Sequence, residues 1–280
     1  MPELHSRLKA IVEAKKREVE RLYSAGYDGV YRNRCNKWGE HLPPTRSFYR
    51  AITDPEGQPE DGLYLMAEFK RASPSKGEIR TDLHPEGVAA LYERAGAVAM
   101  SVLTDPHFQG TLRDLERVRE SVSIPVLRKD FMLDPVQVRE ARVWGADVVL
   151  LIAAILEQGD LKRLYDLSGQ YGMDCLVEVH NREEVERVLD LEPRPKIMGI
   201  NNRDLHTFEV SLETTEELRP HIPEDIVVVT ESGIKTRDDV ERFEGTGISA
   251  FLMGEHLMRE KDMTAKIREL GIRYRPGYPR

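Results

Sequence analysis

The sequence predicts a (β/α)8 TIM barrel, an α/β fold, carrying an N-terminal helical extension. Three observations point there. Short runs rich in Val, Ile and Leu near 63–68, 97–103, 124–128, 147–152, 173–179, 196–201, 226–230 and 248–253 have the character of parallel strands covered on both faces. Helical patterns alternate with them near 85–95, 111–120, 135–144, 157–170, 181–190, 211–219 and 236–244, with a last one at 262–270. Eight such right-handed units in about 210 residues suffice to close a barrel. An open doubly wound sheet is the runner-up, but no Gly-x-Gly-x-x-Gly follows the first strand.

The expected organisation is an extension over 1–62, a barrel over 63–270 and a loose tail over 271–280. Within 3–23, Leu4, Leu8, Ile11, Val12, Val19 and Leu22 share one stripe, which predicts an amphipathic helix placed to close one end of the barrel. A coiled-coil segment is the alternative for that stripe. Residues 24–62 are rich in Gly and Pro and predict a long irregular connection with a short helix near Ser47–Ile52.

Composition narrows the function. Asp and Glu number 49 against 41 Lys and Arg, a formal charge of −8, which argues against general nucleic-acid binding while allowing a local basic pocket. The longest apolar run, Val148 to Leu156, has nine residues, whereas a membrane-spanning helix needs about 20. The charged N-terminus shows no signal peptide, and Cys35 and Cys175 are expected as free thiols, so the expectation is a soluble cytoplasmic protein. The eight histidines show no His-Glu-x-x-His spacing and no Cys cluster exists, so no metal site is expected.

Active sites of such barrels form where strands run into the following loops. The first strand ends with Glu68 and Lys70, whose period-two spacing places acid and amine on one face, followed by Ser73. This reads either as a surface ion pair or as part of a site. The third strand ends in Arg128-Lys129-Asp130, either a generic charged turn or a place for a reactive amine. Glu178 interrupts the apolar fifth strand; it is either a structural partner of a nearby cation or a general acid or base. Together Glu68, Lys70, Lys129 and Glu178 would set two acids and two amines around one mouth, an arrangement that separates acid and base roles. Asn201 and Arg203 share a face, and Arg203 suits either a substrate carboxylate or a structural salt bridge to Asp204 or a neighbouring loop. Ser232-Gly233 and Gly254 end strands seven and eight, where loops of these barrels recurrently bind phosphate, and Thr236 is a helix N-cap candidate. His180 and His206 lack an evident nucleophile and read as ordinary polar residues.

These residues lie in segments that resemble the indole-3-glycerol phosphate synthase family. Ile11-Val12-Glu13-Ala14-Lys15-Lys16-Arg17-Glu18-Val19 is similar to its N-terminal helix, and Arg46-Ser47-Phe48-Tyr49 to its next segment. Ala67 through Gly77, reading AEFKRASPSKG, is similar to its signature. Val102-Leu103-Thr104-Asp105, Leu127-Arg128-Lys129-Asp130-Phe131, Gly199-Ile200-Asn201-Asn202-Arg203-Asp204-Leu205 and Glu231-Ser232-Gly233-Ile234 follow in the family's order. The resemblance implies ring closure of 1-(2-carboxyphenylamino)-1-deoxyribulose 5-phosphate to indole-3-glycerol phosphate, carbon dioxide and water, without metal or organic cofactor. It implies Lys129 as general acid, Glu178 as general base in dehydration, Glu68 as the group that positions and polarises its neighbours, and Lys70 as a holder of the anionic substrate for which a proton-donating role has also been considered. It further implies substrate contacts from Ser73, Asn201 and Arg203, an apolar wall of Phe108, Phe131 and Leu150, and a phosphate cradle of Ser232, Gly233, Gly254 and Glu255.

Two features depart from the family's pattern. Residues 24–44, with Cys35 and Trp38, are longer than the corresponding segment. Glu255 stands where some members have serine, so its carboxylate is expected to turn away from the phosphate. A second hypothesis is another sugar-phosphate barrel such as phosphoribosylanthranilate isomerase, against which the Glu68–Ser73 segment argues. A third is a catalytically silent barrel binding a metabolite or a partner, which sits poorly with fully occupied acid–base positions. Expected partners are a small molecule carrying phosphate and benzoate groups and, possible on pathway grounds, other tryptophan-pathway enzymes; no nucleic acid and no membrane are expected.

Overall fold

Each of the eight apolar runs folds as a strand of one closed parallel barrel: β1 (Tyr64–Phe69), β2 (Ala99–Leu103), β3 (Val126–Lys129), β4 (Val148–Ile152), β5 (Asp174–Val179), β6 (Ile197–Asn201), β7 (Val227–Glu231) and β8 (Ala250–Met253). The structure is a computed structural model and describes residues 6–24, 26, 42–53, 62–73 and 77–273. Cys35, Trp38, most of the 24–44 segment, Leu4 and the tail beyond 273 lie outside the described residues. Each strand pairs with its chain neighbour, and β1 closes the ring against β8 through Tyr64↔Ala250 to Ala67↔Met253. Nearly every strand residue is buried, because one face fills the barrel and the other is covered by helices.

Ordinary end signals bound the helices. They are α1 (Ser6–Ser24), α2 (Phe48–Thr53), α3 (Pro85–Arg94), α4 (Leu112–Ser121), α5 (Pro135–Val143), α6 (Gln158–Gln170), α7 (Arg182–Leu189), α8 (Glu213–Leu218), α9 (Arg237–Glu241), α10 (Glu255–Arg259) and α11 (Met263–Glu269). Asp134 with Gln137 and Thr111 with Asp114 form capping boxes at α5 and α4. Thr236 caps α9 as its position predicts. One feature without a sequence signal is a short hairpin in the loop after β1, pairing Ala72 with Glu78 and Ser73 with Gly77. Two residues per strand are too few to display a period of two.

The α1 helix packs on α5 rather than forming a coiled coil. Val19 meets Val136, and the Tyr23 hydroxyl donates to Asp134 Oδ1 at 2.7 Å. Leu8, Ile11 and Val12 are buried as the stripe requires, but so is Lys15, which fills the stripe between Val12 and Val19. Its ammonium lies 2.9 Å from Asp105 Oδ2, after β2, and 2.8 Å from Asp130 Oδ1, after β3. Asp130 in turn pairs with Arg128 at 3.0 Å and accepts from Thr104 Oγ1 at 2.6 Å. Arg128 reaches Glu140 of α5 at 2.9 Å. Of the two readings of Arg128-Lys129-Asp130, the generic charged turn does not hold. Alternation on β3 sends Arg128 outward under α5 and Lys129 inward, so the flanking charges are buried and paired.

Candidate active site

A cavity of about 630 Å³ opens at the C-terminal ends of the strands, beneath Leu8 and Ile11 of α1. Strand register converges charged side chains on its floor. Glu68 stands opposite Ser101, Leu103 opposite Lys129, Glu178 opposite Gly199, and Asn201 opposite Glu231. Lys129 Nζ lies 3.2 Å from Glu178 Oε2 and 2.6 Å from Glu231 Oε2. Lys70 Nζ lies 2.8 Å from Glu68 Oε1, and Ser101 Oγ donates to Glu68 Oε2 at 3.3 Å. The four acid–base candidates share one floor, and the Glu68–Lys70 pair faces the cavity rather than bulk solvent.

Two glycines make room for the inward carboxylates. A Cβ on Gly199 would sit 2.2 Å from Glu231 Oε1, and one on Gly254 would sit 2.5 Å from Glu68 Oε1. Side chains at either position would drive a carboxylate off the floor.

Burial and pairing set the protonation of this group. Burial disfavours the ammonium of Lys129, but Glu231 and Glu178 outweigh it and hold the amine above the usual lysine range. Burial would raise Glu178, yet Lys129 and His180 hold it well below the usual carboxylate range. Glu231 goes the other way: burial, with Glu178 and Glu68 nearby, outweighs Lys129 and pushes it up to about 7. The floor thus joins a charged amine, an ionised carboxylate and a carboxyl group poised near neutrality.

The remaining candidates line the walls. Phe108 and Phe131 are stacked with ring centroids 6.4 Å apart, and Leu150 lines the same cavity. Ser73, Asn201 and Arg203 border the cavity. Arg203 donates to the Phe208 carbonyl at 3.1 Å, and no Arg203–Asp204 salt bridge forms among the described residues. At the far end, Ser232 and Gly233 both have left-handed backbones, with φ of 63° and 96°. A Cβ on Gly233 would meet Leu212 Cδ2 at 2.7 Å, so the turn is packed as well as twisted. Gly254 and Glu255 complete this end, with the Glu255 carboxylate 3.0 Å from Arg259 Nε.

Sequence reasoning missed Glu231 as a floor residue, although it ends an apolar strand, much as Glu178 stands one residue before the end of β5. It missed Lys235, His256 and Arg259, which add cationic or titratable groups at the Ser232 end of the cavity. The reading of His180 as an ordinary polar residue is also corrected: it is nearly buried and lies between Glu178 and Glu184. His206 is exposed. Among the described residues, no cluster of three or more His, Cys, Asp and Glu side chains suits a metal ion, and no helix is long and apolar enough to cross a membrane.

Comparison with known proteins gives the fold and the family. Solved structures share the fold alone: KGPDC from Streptococcus mutans aligns with a TM-score of 0.59 at 14% identity, over 75% of this chain and 96% of that one. A mutant tryptophan synthase alpha-subunit from Pyrococcus furiosus aligns with a TM-score of 0.56 at 17% identity, over 75% of this chain and 98% of that one. Sequence relatives are nearer. The indole-3-glycerol phosphate synthase of Dehalococcoides mccartyi is 52% identical over 210 residues, covering 74% of this chain and 80% of that protein. Its counterpart from Koribacter versatilis is 43% identical over 268 residues, covering 95% and 99%. The model of the family described as indole-3-glycerol phosphate synthase matches residues 8–270, and the chain belongs to that family.

Proposed function

We propose a division of labour among the cavity's residues for the reaction of this family. The chain is a carbon–carbon lyase of tryptophan biosynthesis. It closes the indole ring of 1-(2-carboxyphenylamino)-1-deoxyribulose 5-phosphate, releasing carbon dioxide and water. The observation that carries the assignment of roles is the Lys129 ammonium held between Glu178 and Glu231 on the cavity floor.

In this reading the phosphate rests at the Ser232, Gly233, Gly254 and Glu255 end, where backbone N–H groups can serve it and Lys70 adds charge. The Glu255 carboxylate, drawn to Arg259, stays off the phosphate. The anthranilate ring lies against Phe108, Phe131 and Leu150, while Ser73, Asn201 and Arg203 orient its polar groups. Lys129 protonates the substrate carbonyl oxygen as the new carbon–carbon bond forms. Loss of carbon dioxide restores the aromatic ring. Glu178 then takes the carbon-bound proton as the hydroxyl, receiving a proton from the Lys70 ammonium, departs as water. Glu68 holds Lys70 in place and polarises the floor.

The same reading makes this a cytoplasmic enzyme needing neither metal nor organic cofactor. It also allows association with other tryptophan-pathway enzymes, which co-purification from native extract would reveal. The decisive experiment is an activity assay with chelator present, following indole fluorescence after addition of the substrate. Rapid signal growth is expected, with kcat lowered at least about 10²-fold in Lys129→Met. Near-normal kcat in that variant would remove Lys129 from the role of acid.

A further inference from the structure

His180 immediately follows β5, two residues beyond Glu178, and its side chain is only 7% exposed. Its Nε2 lies 3.2 Å from Glu178 Oε1, within ion-pair range though not aligned as a hydrogen bond. Its Nδ1 lies 3.1 Å from Glu184 Oε2, the same oxygen that accepts the His180 backbone N–H at 2.8 Å. Glu184 is itself fixed from both sides. Asn181 caps α7 by accepting from the Glu184 N–H at 2.9 Å, and Asn181 Nδ2 donates to Glu184 Oε1 at 2.8 Å. A helix cap therefore anchors Glu184, Glu184 anchors the imidazole, and the imidazole faces one oxygen of Glu178. The other oxygen of Glu178, Oε2, faces Lys129.

We propose that His180 is a positioning residue for Glu178: clamped by Glu184, its cationic ring fixes Oε1 and leaves Oε2 to face Lys129 and the substrate. The proposal rests on Glu178 being the dehydration base. His180 exchanges no proton in it. It remains an imidazolium while Glu178 accepts the substrate proton at Oε2. The surroundings favour that charge. Burial alone would lower the imidazole, but Glu178 and Glu184 outweigh it and push it up to about 10. Asp204, from the loop after β6, is held low against burial chiefly by the backbone N–H groups of Thr207 and His206, with His206 and then His180 adding smaller charge contributions. Lys129 is the cation on the opposite side of Glu178. Without His180, Glu178 would keep Lys129 and the Asn201 side chain but lose the cation that fixes Oε1, and a misplaced base loses rate more than affinity.

The first test is made on the wild-type protein. Ring-nitrogen NMR of His180 at pH 7.5 is expected to show both nitrogens protonated; a neutral ring overturns the proposal. The second test is kinetic. His180→Ala is expected to lower the single-turnover rate about 10- to 100-fold while KM stays within about threefold. In a Glu178→Gln background the same change is expected to cost less than about twofold, because the residue acts through Glu178. Equal losses in both backgrounds, or an unchanged rate in a folded His180→Ala variant, overturn the proposal. If His180→Ala fails to fold, His180→Gln, which keeps bulk and a neutral donor, takes its place in both backgrounds. Near-normal turnover in Glu178→Gln alone overturns the assignment of the base, and this inference with it. An inactive Glu178→Gln beside a fully active His180 variant overturns only the role of His180.

Discussion

Lys15→Met tests whether the buried ion cluster on α1 secures the extension to the barrel. Lys15 is 1% exposed, with its ammonium 2.9 Å from Asp105, 2.8 Å from Asp130 and 2.8 Å from Glu18. Methionine keeps the length of the stem and suits the apolar stripe. Among the described residues it leaves Asp105 with His107 at 2.8 Å, and Asp130 with Arg128 at 3.0 Å, as the remaining ion-pair partners. Removing one partner of a buried pair costs about 3–5 kcal/mol, because the remaining charge stays buried and uncompensated. Unfolding entropy of about 2.1 cal/mol/K per residue, over 280 residues, gives about 0.6 kcal/mol per degree. The melting temperature at pH 7, followed by circular dichroism, should therefore fall by roughly 5–9 °C. The pH dependence has a definite sign. Burial opposes the charge on Asp130, but Arg128 and Lys15 outweigh it and depress its pKa. Its contribution is therefore present above the ordinary aspartate value near 4 and is lost as pH falls toward the depressed one. Burial also opposes the charge on Lys15, but Asp130 and Asp105 raise it, so its contribution holds through neutrality and is lost only above the usual lysine range. The gap between wild type and variant should stay constant from about pH 5 to 9 and narrow below about pH 4. A fall of less than about 2 °C at pH 7 would mean that the cluster is energetically neutral and that apolar packing alone holds α1.

Further predictions concern the floor. Gly199→Ala places a methyl group against Glu231 Oε1, so the 2.6 Å contact of Glu231 with Lys129 should break and kcat should fall about 10-fold or more, with a smaller thermal shift than in Lys15→Met. Unchanged kcat would show that Glu231 is not needed to hold the ammonium. With Glu231 raised to about 7, the kcat/KM profile of the free enzyme should carry an inflection near neutral pH, and Glu231→Gln should remove it. An inflection that persists in the variant would belong to another group.

The barrel was legible because its signal is repeated. Eight apolar runs at similar spacing each carry the same implication, and only a closed parallel sheet buries all of them on both faces. The N-terminal helix was legible from its stripe, but the lysine within that stripe passed unnoticed. Lys15 is long, and a solvated lysine beside a stripe is commonplace. Only the packing of α1 over the loops after β2 and β3 reveals that two buried aspartates await it.

The floor divides in the same way. Glu68, Lys70, Lys129 and Glu178 were visible because strand ends are where barrel chemistry gathers, and the family resemblance supplied their order. The sequence by itself determined the fold class, the strand ends and the residue types brought to one mouth, because periodicity and turn chemistry are local. Only the tertiary structure decided that Glu231 joins Lys129 above Gly199, and that His180 stands between Glu178 and Glu184. Those contacts join separate strands, or a strand end to the next helix, and side-chain distances and burial, the quantities that set charge, are not written in spacing along the chain.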